Sequence, residues 1–242
     1  MADASEHVRR LWRHRGTTVP APRRGPRQQL DLDEILDVAA GLADAAGLAA
    51  VSTRAVAARF DKTAMALYPY VGTKEQFLAL LQDHVSPLPS WPDPATSAAD
   101  DLVAWALAFF RLHLAHPWLT ELSWARSGPG PNERDWMERL LGILDRWAVP
   151  PARRTPAVTM LYATVRACAE TAAGYARLDR DGAAAWLDRA AATRELIPDL
   201  SERYPRTAGL APITPQWRDA PRAGLVAATE LLAGAMSPPQ SS

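Results

Sequence analysis

From Leu32 onward the apolar positions fall three and four apart. Leu32, Ile35, Leu36, Ala39, Leu42 and Ala43 predict a helix over Leu32–Ala46, stopped by Gly47. Ser52 is a suitable cap for a second helix, Thr53 to about Phe60, with Ala55, Val56 and Phe60 turned inward. A third helix, Thr63 to about Tyr68, follows Asp61-Lys62 and is expected to stop at Pro69. A helix that short is marginal alone and must be held by its neighbours. Gly72-Thr73 opens a fourth, about Lys74 to Val85, with Phe77, Leu78, Leu80 and Leu81 apolar. The segment "SPLPSWPDPATS" then sets four prolines close together and marks a boundary between modules. Larger helical patterns follow at Ala98–Ala115, Trp118–Trp124, Glu133–Trp147, Thr155–Leu178, Gly182–Leu196 and Arg222–Ala235. Pro117, Pro131, Pro150-Pro151, Pro198 and Pro221 separate them.

Composition agrees with an all-α protein. Alanine is frequent, β-branched runs are absent, and 48% of the residues are hydrophobic against 22% charged. The expected organisation is a basic flexible arm (1–29), a small helical domain (30–86) and a Pro-rich linker (87–97). A larger helical domain (98–236) and a disordered tail (237–242) complete it. No apolar stretch reaches about 18 residues and the N-terminus is polar, so a soluble, cytoplasmic protein without a membrane partner is expected. Cys168 is the only cysteine, which excludes an intramolecular disulfide; its apolar, helical setting suits a buried structural thiol better than a sensor.

Net charge is zero over the 242 residues, but its distribution is uneven. Residues 1–30 carry seven Arg against Asp3 and Glu6, whereas residues 31–90 carry four basic and eight acidic side chains. Two short helices joined by a tight turn, the second small and facing outward, form a helix-turn-helix. With Leu67 turned inward, Lys62, Thr63, Ala64, Met65 and Tyr68 face outward, and small residues let the helix axis approach base edges. Tyr68, Tyr70, Thr73 and Lys74 lie where the helix exits and suit phosphate contacts, and Arg54 joins this DNA-binding set. Asp31, Asp33, Glu34 and Asp37 favour the N-terminal dipole of the first helix and repel phosphate. Arg23, Arg24 and Arg27 of the arm are therefore expected to supply non-specific phosphate affinity.

The stretch "ILDVAAGLADAAGLAAVSTRAVAARFDKTAMALYPYVGTKEQFLALLQDHV" resembles the DNA-binding domain of the tetracycline-repressor family, through Leu67-Tyr68, Tyr70, Val71 and Lys74. The upstream "RRGPRQQLDLDEIL" and downstream "HPWLTELSWARSGPGPNE" resemble an actinobacterial-type branch. Two positions depart from the pattern: Asp61 stands where the family has Gly, and Lys62 where it has an apolar residue. Asp tolerates a left-handed backbone better than most residues.

The resemblance implies a helix-turn-helix DNA-binding domain (30–86) and a helical ligand-binding and dimerisation domain (98–236), in a homodimer that binds a pseudo-palindromic operator in double-stranded DNA and is released by a small-molecule effector. Thr155–Leu178 and Arg222–Ala235, with Gly174, Gly224 and Gly234, suit a four-helix interface between subunits, with plain intrachain core as the alternative. Candidates for an effector site are Trp105, Phe109, His113, His116, Trp118, Trp124, Met137, Tyr162, Arg166 and Glu170; each also suits ordinary core or surface. Arg166 and Glu170 are spaced to pair with each other. His113 and His116, with Glu121 near, have metal-ligand spacing but no evident third ligand, so neither a metal nor a cofactor is expected. No phosphate loop or nucleophile elbow is present, and an enzyme is not expected. A DNA-binding dimer that senses no ligand is the other reading, and activation stands beside repression.

Overall fold

The computed structural model describes residues 2–17, 30–91, 97–122, 130–178, 180–208 and 217–236, and no β-strand occurs among them. Among the described residues, twelve α-helices follow one another: α1 (Ala2–Leu11), α2 (Leu32–Ala46), α3 (Thr53–Ala58), α4 (Ala64–Val71), α5 (Lys74–His84), α6 (Ala98–Ala115), α7 (Pro131–Arg146), α8 (Pro151–Arg177), α9 (Arg180–Leu196), α10 (Leu200–Arg203), α11 (Pro205–Ala208) and α12 (Ala220–Met236). Short 3-10 turns lie at Leu48–Ala50, Pro117–Glu121 and Trp217–Asp219.

Local chemistry sets the boundaries. Asp31 caps α2 by accepting from the Asp33 and Glu34 amides, and Gly47 ends it at φ 79°. Ser52 caps α3 through the Ala55 amide at 3.0 Å. Thr73 and Gln76 form a reciprocal capping box at the start of α5.

Pro69 is not the expected helix stop, and α8 starts before the expected Thr155. Pro69 lies inside α4 and Pro156 inside α8, which already begins at Pro151. Each removes one intrahelical donor. The acceptors four residues earlier belong to Met65 and Ala152, both exposed residues outside the core. Pro151 stands at the first helical position, where its missing N–H costs nothing.

The expected flexible arm is also corrected. Residues 2–11 are helical, and Leu11 is buried in the N-terminal core with Ile35, Leu36, Val56, Leu67, Phe77 and Leu81. Val8, Leu11 and Trp12 share one helical face, a signal overshadowed by the arginines beyond. Residues 18–29, with Arg23, Arg24 and Arg27, lie outside the described residues, as do 123–129, with Trp124, and the tail 237–242.

The second core joins α6, α7, α8 and α12 around Leu102, Trp105, Leu140, Val165 and Leu225. Leu88 and Trp91 of the Pro-rich segment pack against it, and the Arg139 guanidinium lies 4.7 Å from the Trp91 ring centre. Trp118 and Leu119 belong instead to the first core, so the 3-10 turn after α6 reaches into the N-terminal domain. No described helix is long and apolar enough to cross a membrane.

Candidate nucleic-acid interface and effector cavity

Between α3 and α4 the chain turns sharply. The Ala57 carbonyl accepts from both the Phe60 and Lys62 amides at 3.0 Å, and Asp61 adopts φ 53°. That is the left-handed conformation a glycine favours, and Asp61 takes it up without breaking the motif. Val56, Ala57, Leu67 and Val71 pin the pair to the core, while Ala55 and Phe60 are only half-buried.

Met65 is 74% exposed and Tyr68 46%. Arg54, Lys62, Thr63, Thr73 and Lys74 are exposed around them, and Ala64 and Tyr70 are half-buried. The Thr73 hydroxyl accepts from the Gln76 amide at 3.3 Å, so its first role is capping α5. The acidic start of α2 meets partners in the chain. Asp33 accepts from Arg13, and Asp37 accepts from His84 Nε2 at 2.7 Å. Burial raises the Asp33 pKa, but the Arg13 and His14 hydrogen bonds and charges outweigh it, leaving the carboxyl below its ordinary value.

The effector candidates divide by position. Phe109, His113, Tyr162 and Arg166 line one cavity beneath α5. Trp105 is fully buried core, its indole N–H donated to the Trp136 carbonyl at 3.1 Å and its ring 5.2 Å from Phe109. Met137 packs at the edge of the same core, and Glu170 is exposed. Arg166 donates to the Thr120 carbonyl at 2.6 Å. His113 and His116 part company despite their spacing: His116 Nδ1 donates to Asp44 Oδ1 at 2.8 Å, which also accepts from Trp118 Nε1 at 2.7 Å. His116 and Trp118 thus form a joint between the domains, and Trp118 also lines a second cavity, of about 760 Å³, with Asp44, Leu114 and Tyr175.

The other walls of the cavity beneath α5 include Gln82, Asp83 and Ser86 at the end of α5, and Glu133 and Trp136 on α7. Asp83 Oδ1 accepts from the amides of Asn132 at 3.0 Å and Glu133 at 3.2 Å, and the Asn132 side chain donates to the Asp83 carbonyl. Asp83 therefore neutralises the N-terminal amides of α7. Trp136 Nε1 donates to the Ser86 carbonyl at 3.0 Å. An acidic residue in the last turn of α5 opposes that helix's own dipole, the one sequence signal that marks Asp83.

The cavity volume is about 20 Å³, room for about one water molecule. Burial raises the Asp83 pKa to about 6, against the lowering by the Glu133 and Asn132 amides and Arg13. Burial lowers His113 to about 4, outweighing its hydrogen bond to the Phe109 carbonyl. At neutral pH the ring is uncharged, Nδ1 carries the proton given to that carbonyl at 2.9 Å, and Nε2 is an acceptor. Burial also raises the Tyr162 hydroxyl and the Cys168 thiol and lowers Arg166.

A family model described as tetracyclin repressor-like, C-terminal domain, matches residues 91–216. The HTH-type transcriptional repressor DrrR1 of Streptomyces coeruleorubidus is 31% identical over 167 residues, covering 66% of this chain and 58% of that protein. An HTH-type transcriptional regulator of Saccharopolyspora erythraea is 35% identical over 108 residues, 43% of this chain and 44% of its own. The chain thus spans less than two thirds of these relatives' length. Among solved structures, ActR of Streptomyces coelicolor in complex with actinorhodin superposes with a TM-score of 0.69 at 26% identity, over 90% of this chain and 96% of that one. Apo ActR superposes with a TM-score of 0.65 at 23% identity, over 86% and 98%.

Proposed function

The chain belongs to the tetracycline repressor-like family, and on that premise we propose that it is a ligand-responsive transcriptional repressor. A homodimer binds a pseudo-palindromic operator in double-stranded DNA, acting in the cytoplasm. In each subunit α4 enters the major groove. Lys62, Thr63, Ala64 and Met65 approach base edges, while Arg54, Tyr68, Tyr70, Thr73 and Lys74 approach the backbone. Arg23, Arg24 and Arg27 add phosphate contacts. Two subunits set their α4 helices one turn of DNA apart, about 34–36 Å.

Dimerisation uses the outer faces of α8 and α12. Met160 is 56% exposed and Leu231 77%, and among the described residues nothing beyond the helix's own nearby backbone lies within 4 Å of a Cβ added at Gly174, Gly224 or Gly234. These faces suit close helix packing against a second copy.

The observation that carries the regulatory reading is the double role of α5. Its N-terminal part packs Phe77, Leu80 and Leu81 into the core that holds α4, and its end walls the effector cavity. A mostly apolar effector cannot enter about 20 Å³ without parting α5 from α7. His113 Nε2 offers it an acceptor and Arg166 a donor. Opening the cavity displaces α5 and with it α4. A coupling of about 1–3 kcal/mol lowers operator affinity roughly 5- to 150-fold. ActR, which was solved with actinorhodin, supports the ligand-responsive reading.

The test is fluorescence anisotropy on labelled DNA from the intergenic region beside the protein's own gene, against a scrambled duplex at about 150 mM salt. Tighter binding to the native duplex, reversed by a member of an aromatic compound panel, is the expected result. Equal binding to both duplexes overturns the DNA reading. The small cavity also favours a second reading, a DNA-binding dimer that senses nothing; unchanged tryptophan fluorescence across the whole panel establishes that one.

A further inference from the structure

The recognition helix carries an unusual burden. It is 8 residues long and contains Pro69, so it lacks one of the few hydrogen bonds such a helix makes. Its C-terminal carbonyls need donors from elsewhere. The Gly72 amide satisfies Tyr68 at 2.9 Å. For the Pro69 carbonyl the donor comes from far away in sequence: Arg10 Nη2, on α1, at 2.9 Å.

Arg10 is only 5% exposed, an exceptional setting for a guanidinium. Several bonds fix its approach. Leu11 beside it is buried in the N-terminal core, and Glu6 pairs with the same guanidinium. Arg13 donates to the Arg10 carbonyl at 2.9 Å and to Asp33 on α2. A Cβ at Gly72 would stand 3.2 Å from Arg10 Nη1, so the guanidinium packs directly on the α4–α5 turn. Its charge also lies at the C-terminal end of α4, where a cation is favoured.

We infer that Arg10 is a positioning residue for DNA recognition, and that α1 belongs to the module that reads sequence. Arg10 touches no base or phosphate; it fixes the angle at which α4 leaves the core. This rests on α4 being the recognition helix, and it leads to a signature that a phosphate-binding arm does not share. Losing a phosphate contact weakens all duplexes alike and flattens the salt dependence. Losing a positioning contact weakens the correct duplex and leaves that slope intact.

The experiment uses the full-length protein and a duplex that the wild type selects from a random-sequence pool, with a scrambled duplex as reference. For Arg10→Met, binding to the selected duplex is expected to fall about tenfold or more, the effect of a lost charge-assisted hydrogen bond. Scrambled-duplex affinity and the slope of log K against log salt stay at wild-type values. Arg10→Lys keeps the cation but not the planar fork, and recovers part of the discrimination. If Arg10→Met does not keep wild-type helicity, Arg10→Lys decides alone, by losing discrimination at constant slope. Wild-type discrimination in the folded variants overturns the inference. So does an equal loss on both duplexes with a flatter slope, which makes Arg10 a phosphate contact. A wild type that selects no sequence overturns the reading of α4 itself.

Discussion

The carboxylate of Asp83 occupies the space that a side chain on residue 130 would need. A Cβ built on Gly130 would stand within 2.9 Å of Asp83 Cβ and overlap the carboxylate itself. Gly130 has φ −68°, a conformation open to any residue, so only this contact requires glycine there. Gly130→Ala is expected to cost about 1–3 kcal/mol by overpacking. Urea unfolding read by tryptophan fluorescence measures it; an unchanged midpoint refutes the contact.

Asp83 also makes stability depend on pH. Its folded pKa, about 6, lies above the ordinary value of 3.8, so the folded state holds the proton more tightly. The stabilisation is full below pH about 4 and is lost as pH rises through about 6. Asp83→Asn keeps an acceptor for the Asn132 and Glu133 amides and removes the buried charge. Between pH 4.5 and 7 the wild type should lose on the order of 1–3 kcal/mol relative to this variant. Parallel stability profiles for the two proteins contradict the assignment.

On the outer face of α4, exposure separates recognition from stability. Met65 is 74% exposed, so Met65→Ala should leave unfolding within about 0.5 kcal/mol of wild type while weakening specific DNA binding. Lys74→Ala, just beyond α4 and exposed, should instead lower binding on every duplex and reduce the salt slope by about one. Anisotropy titrations at several salt concentrations separate the two; identical behaviour of both variants argues against this orientation of α4.

The proposed dimer rests on α8 and α12. Leu231→Arg sets a charge on the most exposed part of that face and should yield a folded monomer. Sedimentation velocity with circular dichroism reads both properties. A dimer of wild-type strength places the interface elsewhere.

Most of the helical framework was legible because each helix needs only its own apolar period and its own cap. Leu32–Ala46, Ser52 and Gly47 are local facts, and so is the left-handed turn that Asp61 accepts in place of glycine. Pro69 did not stop α4 because the carbonyl it deprives of a donor belongs to exposed Met65, an exposure the one-dimensional pattern does not reveal. Helix α1 was hidden by the Arg-rich stretch after it, though Val8, Leu11 and Trp12 carried its period. Of the cavity we propose for the effector, the sequence offered Phe109, His113, Tyr162 and Arg166 as candidates, but not Asp83, Ser86 or Trp136. Their partners are backbone groups about 50 residues away in sequence, and no spacing rule reaches that far.

The 3-10 turn at Pro117–Glu121 has a consequence for engineering hybrid repressors. Trp118 and Leu119 complete the core around α2 and α5, and Leu11 completes it from the other end of the chain. A segment cut at residues 30 and 86 and grafted onto a foreign sensor leaves three large side chains behind. The transplanted reading head then has holes where they stood. A working chimera has to carry residues 2–17 and import the 117–122 turn, so the natural seam for recombination runs through space and not through one point in the gene.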